Sequence, residues 1–391
     1  MAITTASLAA SYFVLDVPDV RWTGASAGRR VRVVVNPQNG TPTELSEAYT
    51  PDADGAVTLR GLSEIIEPYV KPCPTPLRQD LVTGHGVWLA TVVRASFTAQ
   101  LYDGSGTTIQ PTFHSYAYYA SQRTQATPGA TAIWLTRYNE RTILAEQPLT
   151  LSAFLMSDIT ARFRCEGTDA AGTIHTATVA VDMSAGQGAA SGTAPSYAAV
   201  VHYTVADLAA AAAVGTLHRV TAELLRGGTV VDSVTFHIDR KHYAQRRIVA
   251  FTNCFGMLET EAFTGADEAT TEMEAEFAWM DRDYEKNVTR EVTQHRLAAR
   301  FTGAVRRDSL RDIMASPELY LIHRDGQDCW ERQTLTAFEM TDRRPHTAPQ
   351  TAYLTLRPSA MHQELVERTG DTDAAQVRHR IFDHTFDYTF N

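Results

Sequence analysis

The last twelve residues, 380–391, contain four large aromatic side chains at alternate positions, with polar residues between them. Phe382, Phe386, Tyr388 and Phe390 fall on one set of alternate positions, and aspartate and threonine fill the other set. Successive side chains of a β-strand point to opposite faces, so this pattern predicts a strand with one aromatic face. At about 3.3 Å per residue, the strand is on the order of 35 Å long. An aromatic face of that size has to be covered, either by the chain's own sheet or by a neighbouring subunit.

Length and charge limit the classes of protein that fit. With 391 residues and 44% hydrophobic content, the chain is long enough for two to four domains, each with its own core. The formal net charge of −10 argues against a surface that follows nucleic-acid phosphates, so no nucleic-acid sequence recognition is expected. The sequence contains no apolar run of about eighteen residues and no basic leader segment. We therefore expect neither membrane insertion nor a signal peptide.

Short period-two segments bounded by turn residues recur along the whole chain. They predict strands at 12–15, 30–35, 56–59, 87–94, 96–102, 131–135, 149–155, 160–165, 173–181, 217–225, 229–238, 271–279, 292–301, 318–323, 331–340 and 351–356. Helical spacing of apolar residues predicts a short helix at 62–69, and a further short helix is predicted at 308–315, before Ser316-Pro317. A capping box of Thr204 and Asp207 predicts a helix that continues over the alanines at 209–213. Arg226 to Gly228 predict a hairpin between the strands at 217–225 and 229–238. The predicted fold class is mainly β, with tandem antiparallel β-sandwich or barrel domains and a few short helices.

Changes in pattern along the chain predict four regions. Residues 1–155 form a β-rich amino-terminal region, and residues 156–240 a sandwich-like domain with one alanine-rich helix. Residues 241–358 form a carboxy-terminal β domain, and residues 359–391 an arm that ends in the aromatic strand.

Two charged groups are further candidates for an assembly interface, besides the four aromatic residues of the terminal strand. Glu272, Glu274 and Glu276 share one face of a predicted strand, which indicates a solvated surface or a partner for arginines of another subunit. Arg246 and Arg247 end a basic stretch that either anchors a domain junction or meets an acidic neighbour.

Motifs for catalysis, metals and cofactors are weak. Gly24 to Gly28 matches the GxSxG pattern of serine hydrolases, but a predicted strand follows it where that motif requires a helix. The four cysteines are widely spaced and form no CxxC pair, which predicts free and mostly buried thiols. We expect no cofactor, no metal and no enzymatic activity. A hydrolase built on the paired carboxylates Glu272 and Glu274 is the remaining enzymatic alternative.

Four phrases of the sequence together resemble a known group of proteins. They are Tyr49–Leu59, Phe251–Thr260, Glu331–Pro358 and the terminal Ile381–Phe390. The group comprises structural proteins encoded by phages and prophages of Bacteroides-type gut bacteria. The order of strands, short helix and hairpin from Thr271 to Leu356 also resembles the tail-tube and distal-tail building block of long-tailed phages.

These resemblances imply a non-enzymatic component of a phage tail, at the tail tip or distal tail, that assembles through strands and aromatic contacts between subunits. The expected partners are copies of the chain itself in a ring-type homo-oligomer, and other tail proteins. The implied location is the virion, assembled in the bacterial host cytoplasm. The alternative is a carbohydrate-binding or adhesin-type β-sandwich protein that binds a host surface glycan. In that reading Tyr116, Tyr118 and Tyr119, in a loop-rich stretch at 111–130, are exposed and stack on sugars.

Overall fold

The computed structural model describes residues 8–23, 25, 29–73, 85–103, 105–124, 128, 132–156, 158–183, 194–280, 283–301, 303–323, 329–340 and 350–359. The strands are β1 (Ser11–Phe13), β2 (Val20–Trp22), β3 (Arg29–Pro37), β4 (Thr43–Tyr49), β5 (Val57–Leu59), β6 (Gly86–Thr91), β7 (Arg94–Tyr102), β8 (Thr108–Tyr118), β9 (Glu140–Leu144), β10 (Leu149–Phe154), β11 (Ile159–Thr168), β12 (Ile174–Val181), β13 (Tyr197–Tyr203), β14 (Thr216–Arg226), β15 (Thr229–Asp239), β16 (Arg247–Thr252), β17 (Leu258–Phe263), β18 (Asp267–Met280), β19 (Asp283–Phe301), β20 (Leu319–His323), β21 (Cys329–Met340) and β22 (Gln350–Pro358). Helices α1 (Leu62–Ile66), α2 (Val205–Ala211) and α3 (Ala304–Ala315) lie among the described residues. The prediction of a mainly β protein with short helices is confirmed.

The strands form sheets that we name by position. The N sheet has the order β1-β8-β7-β3-β4, the inner sheet β10-β13-β6, the outer sheet β12-β11-β14-β15-β9, and the C sheet β17-β16-β20-β21-β22-β19-β18. Strands β2 and β5 pair as a separate ribbon. Strand β1 is parallel to β8 and β9 is parallel to β15, while hairpins such as β14–β15 are antiparallel.

The inner and outer sheets face each other as a sandwich. Their shared core contains Leu151 and Val201 from the inner sheet and Phe163 and Phe236 from the outer sheet. Leu208 of α2 is also buried there, and α2 begins with the predicted capping box, in which Thr204 and Asp207 bond reciprocally. Full burial of each such side chain contributes about 1.5–3 kcal/mol, so the alternation of apolar residues holds the two sheets together.

The C sheet adds a third layer and α3 covers it. Leu310 and Ile313 of α3 are fully buried against one face of the C sheet. On the opposite face, Trp330 and Ile322 contact Trp88 of the inner sheet. The inner sheet is therefore the middle layer between the outer sheet and the C sheet.

The N sheet has its own core. Val31, Val33 and Val35 alternate along β3 and are buried on one face, together with Phe97 of β7. Leu62 of α1 packs on the same core, so the predicted short helix serves to cover this sheet.

One side-chain device shapes several tight turns. Asp52, Asp103, Asp169 and Asn253 each accept hydrogen bonds of 2.8–3.1 Å from the backbone N–H groups two and four residues later. A glycine lies three residues after the Asp or Asn in every case, and its φ is between 69° and 85° (Gly55, Gly106, Gly172 and Gly256). A D/N-x-x-G sequence thus specifies the turn, because the side chain satisfies the amides and glycine tolerates the left-handed backbone.

Four local predictions are wrong. The strand predicted at 12–15 ends at Phe13 and a 3-10 turn follows. The strand predicted at 131–135 is reduced to a bridge between Trp134 and Ala153. The stretch at 111–130 is not all loop, because β8 continues to Tyr118. Helix α2 ends before the last alanines, and Ala213 has a φ of 54°.

The chain separates into two compact units. The first comprises Met1–Glu272 and Val292–Ser359, and it contains the cores described above. The second comprises Met273–Glu291 and Ala360–Asn391, of which the structure describes strand residues 273–280 and 283–291. The domain boundaries predicted after residues 155, 240 and 358 stay a prediction.

Candidate functional site

A turn in the phrase Phe251–Thr260 begins a buried polar junction. Asn253 uses all of its side-chain capacity: its oxygen accepts from the turn amides, and its Nδ2 donates to the carbonyl of Leu135 and to Glu259, each at 2.8 Å. Gly256 completes the turn at a φ of 75°. The turn therefore fixes β17 against a segment more than one hundred residues earlier in the chain.

Arg141 of β9 lies at the centre of the junction. Its guanidinium is 2.6 Å from a carboxylate oxygen of Glu259 and 3.5 Å from one of Glu261, and it stacks on the ring of Tyr138 at 4.4 Å. Glu261 also pairs with Arg306 of α3 at 3.2 Å. Desolvation raises the pKa of Glu259, while the charge of Arg141 opposes this shift. The network thus links β9, β17 and α3 by charges that neutralise each other.

The same junction satisfies the backbone of β17. Gln147 donates to the carbonyl of Thr260 at 3.1 Å, and the hydroxyl of Thr260 donates to the carbonyl of Pro148 at 2.8 Å. Because β17 is a terminal strand of the C sheet, side chains here replace the next strand as hydrogen-bond partners.

The two buried carboxylates are not placed for catalysis. A pair of carboxylates serves as acid and base only where a substrate can reach it. Glu259 and Glu261 are each 4% exposed and are paired with arginines. The junction therefore holds the C sheet to β9 rather than presenting a reactive group.

A second charged contact fixes α3, beside a cavity of about 220 Å³. Asp312 is 2% exposed and accepts from Arg137 at 2.6 and 2.9 Å and from Gln122 at 3.0 Å. Arg137 and Asp308 line the cavity, and Asp308 is paired with Arg307 at 3.1 Å. Since these charges have partners within the protein, they do not require a ligand.

The residues predicted for an interface lie in different places. Arg246 pairs with Glu146 at 2.7 Å, and Arg247 pairs with Asp267 at 2.6 Å. Glu272 is exposed on β18. Glu274 and Glu276 belong to the same strand, but their side chains lie outside the described residues, as do Phe382, Phe386, Tyr388 and Phe390. The role of all nine in assembly stays a prediction.

The tyrosines proposed for sugar stacking are not exposed. Tyr118 is fully buried and its hydroxyl donates to the carbonyl of Pro195 at 2.9 Å; burial raises its pKa to about 12. Tyr116 and Tyr119 are half-buried. The error follows from reading β8 as a loop, because a strand at a core places alternate side chains inside.

The cysteines whose side chains the structure describes agree with the prediction of free and mostly buried thiols. Cys73, Cys165 and Cys254 are free thiols, and burial raises the pKa of Cys165 to about 11. Among the residues described, no cluster of three or more histidines, cysteines or carboxylates is suited to hold a metal ion. None of the described helices is long and apolar enough to cross a membrane.

Strand β12 is a terminal strand of the outer sheet, and no further strand among the described residues pairs with its outer edge. It has eight residues, Ile-His-Thr-Ala-Thr-Val-Ala-Val, without a lysine, arginine or carboxylate, and it pairs with β11 on one side. Ile174 is 75% exposed. Edge strands usually carry charges that prevent another strand from pairing with them. Strand β12 therefore has the properties of a site for strand addition.

Two other terminal strands are protected in different ways. In the N sheet, β4 carries the exposed carboxylates Glu44 and Glu47. In the C sheet, β17 is buried throughout. The sequence alone does not distinguish β12 from these strands as a pairing site, because only the strand order shows which strands are terminal.

No family model and no curated protein sequence matches this chain. Among solved structures, a chain of "Virion of native gene transfer agent (GTA) particle" has a TM-score of 0.22 and 13% identity, and the match covers 31% of this chain and 95% of that chain. "Crystal structure of tetra-tandem repeat in extending region of large adhesion protein" has a TM-score of 0.19 and 14% identity, covering 86% and 83%. At these TM-scores neither similarity determines the fold or the function.

Proposed function

We propose that this chain is a non-enzymatic structural subunit of a phage-like tail, at the tail tip or distal tail, and that it assembles with copies of itself. The proposal extends to other tail proteins as partners and to the virion as its location. The observation that carries it is the open, uncharged edge of β12, because a long unprotected edge favours pairing with another chain.

Two further features support an assembly role. The buried junction around Arg141 joins the outer sheet to the C sheet within the first unit, so a subunit held at one of these sheets is also held at the other. The alternating aromatic residues at 382–390 predict a strand, and its aromatic face has to be buried against another surface. Burying four aromatics at roughly 150 Å² each and about 25 cal/mol per Å² yields on the order of 15 kcal/mol before ordering costs.

Light scattering coupled to size-exclusion chromatography tests the proposal. The full chain should elute as an oligomer, and negative-stain microscopy should show rings. A variant lacking residues 380–391 should fold, as judged by its circular dichroism, but remain monomeric. A full chain that stays monomeric at high concentration would contradict self-assembly.

A further inference from the structure

We propose that β12 accepts residues 382–390 of a second copy of this chain as an added strand of the outer sheet. This inference rests on the proposed self-assembly and names its donor and acceptor. Strand addition joins the backbone of the donor to the free backbone groups of the edge, and alternate side chains set the register.

The two faces of β12 differ in polarity. On the core face, Val181 is buried, but Ala177 and Val179 are only half-buried where they pack on the sandwich core. The solvent face consists of small or uncharged residues that are all exposed, namely Ile174, Thr176, Thr178 and Ala180. One side of β12 is therefore apolar and incompletely covered by the core, and the other side is uncharged and exposed to solvent.

The terminal segment has the same division of polarity. Its even positions from 382 to 390 hold four large aromatic residues and His384, and its aspartates and threonines occupy the odd positions between them. Beside β12, the aromatic face would continue the core past Ala177 and Val179, and the polar face would continue the row of Thr176 and Thr178. A shift of one residue would put aspartates over the core, so the pattern fixes which face of the donor meets the core.

Charge on the solvent face favours this donor. Arg164 of β11 is exposed and lies directly across from Thr178 of β12. The charged residues on either side of it along β11 form ion pairs with β14, but Arg164 has no ion pair within the described part of the chain. Asp383 and Asp387 are on the polar face of the donor, which would lie two strands, about 10 Å, from β11, so their carboxylates would attract Arg164 across β12 without a direct ion pair.

The length of the connecting segment allows the donor to reach a neighbour. Residues 360–381 follow β22, the last described strand, and precede the donor. About 22 residues span at most about 75 Å when extended and on the order of 25 Å as a flexible chain. Each copy carries one donor and one acceptor, so the contact is head-to-tail, and such a contact forms a ring where the rotation between copies closes.

Two complementary variants test donor and acceptor separately. Deletion of residues 380–391 removes the donor and keeps β12. Thr176→Glu with Thr178→Glu blocks the acceptor, because both positions are exposed and the new carboxylates repel Asp383 and Asp387. Each variant alone should be monomeric in sedimentation velocity, and an equimolar mixture should form a one-to-one heterodimer. Thr229→Glu, at an exposed position of β15 in the same sheet, is the matched control and should assemble like the natural chain.

A charge exchange tests the charge complementarity. Arg164→Glu should weaken assembly about fivefold, and the added change of Asp383 and Asp387 to arginine should restore it. An oligomer that persists after the β12 substitutions would overturn this inference and leave the proposed function standing. A natural chain that is monomeric would instead overturn the proposed function. A mixture in which both variants stay monomeric would show that the terminal segment of one copy does not add to β12 of another, which also overturns the inference.

Discussion

Replacing Arg141 by methionine tests whether the buried junction stabilises the fold. The side chains of Arg141, Glu259 and Glu261 are 7%, 5% and 6% exposed, so water cannot replace a lost ion pair. Methionine keeps most of the volume of the arginine stem but removes its charge. Glu259 and Glu261 then lie side by side on one face of β17, and Arg306 still pairs with Glu261.

The expected loss is large. Removing one partner of a buried ion pair costs about 3–5 kcal/mol, because the other charge stays buried without compensation. The unit that contains Arg141 has well over about 300 residues, and at that size a loss of 1 kcal/mol lowers the melting temperature by about 1.4 °C. We therefore expect Arg141→Met to lower the melting temperature by at least about 4 °C at pH 8.

The loss should depend on pH. Desolvation already raises the pKa of Glu259, and removing Arg141 takes away the charge that opposes this shift. A group whose pKa is raised by folding contributes stability below its unfolded pKa, and that contribution is lost as the pH rises through the folded pKa. The deficit of the variant should thus be largest at pH 8 and should decrease as the pH falls towards 5.

Urea unfolding followed by tryptophan fluorescence at pH 5 and pH 8 measures both effects. Arg246→Met is the matched control, because Arg246 is 45% exposed in its pair with Glu146 and should lose less than about 1 kcal/mol. Adding Glu259→Gln and Glu261→Gln to Arg141→Met should recover part of the loss at pH 8. If Arg141→Met and the control unfold at the same urea concentration at pH 8, the junction does not stabilise the fold as argued.

Two further predictions concern packing. Gly256→Ala should destabilise the protein by about 2–4 kcal/mol in thermal unfolding, because the φ of Gly256 is 75° and the new Cβ would lie 2.6 Å from Tyr119. Gly228→Ala is the control. It should cost only about 1 kcal/mol, because the φ of Gly228 is 82° but no atom lies within 4 Å of the new Cβ. Ile313→Ala should cost about 2–5 kcal/mol by leaving a cavity under α3, whereas Met314→Ala, at a side chain that is 52% exposed, should change stability by less than about 0.5 kcal/mol in the same assay.

Local signals in the sequence predicted the local structure well. The hairpin at Arg226 to Gly228 joins β14 and β15 as expected, because both glycines adopt a positive φ that suits a tight turn. The capping box at Thr204 begins α2 for a similarly local reason. In each case the information lies within four residues, where backbone geometry and a single side chain decide the outcome.

Burial of polar residues could not be predicted in this way. Glu259 and Glu261 lie on alternate positions of β17, a pattern that indicates a solvated face. The face is buried because Arg141, more than one hundred residues earlier, lies against it. Nothing near these glutamates in the sequence identifies their partner, so a surface strand and a buried ionic strand have the same appearance until the sheets are assembled.

The same reasoning explains why the sequence predicts the proposed donor strand but not its acceptor. The segment 382–390 is conspicuous by itself, because its aromatic face needs a cover wherever it lies. Strand β12 has an ordinary strand sequence, and its free edge exists only because β11 pairs with it on one side and with β14 on the other. That order depends on contacts between residues about sixty positions apart in the chain, such as Phe163 with Ala222. In strand addition, the sequence of the added segment determines which of its faces is apolar, and the topology of the sheet determines which edge the segment can pair with.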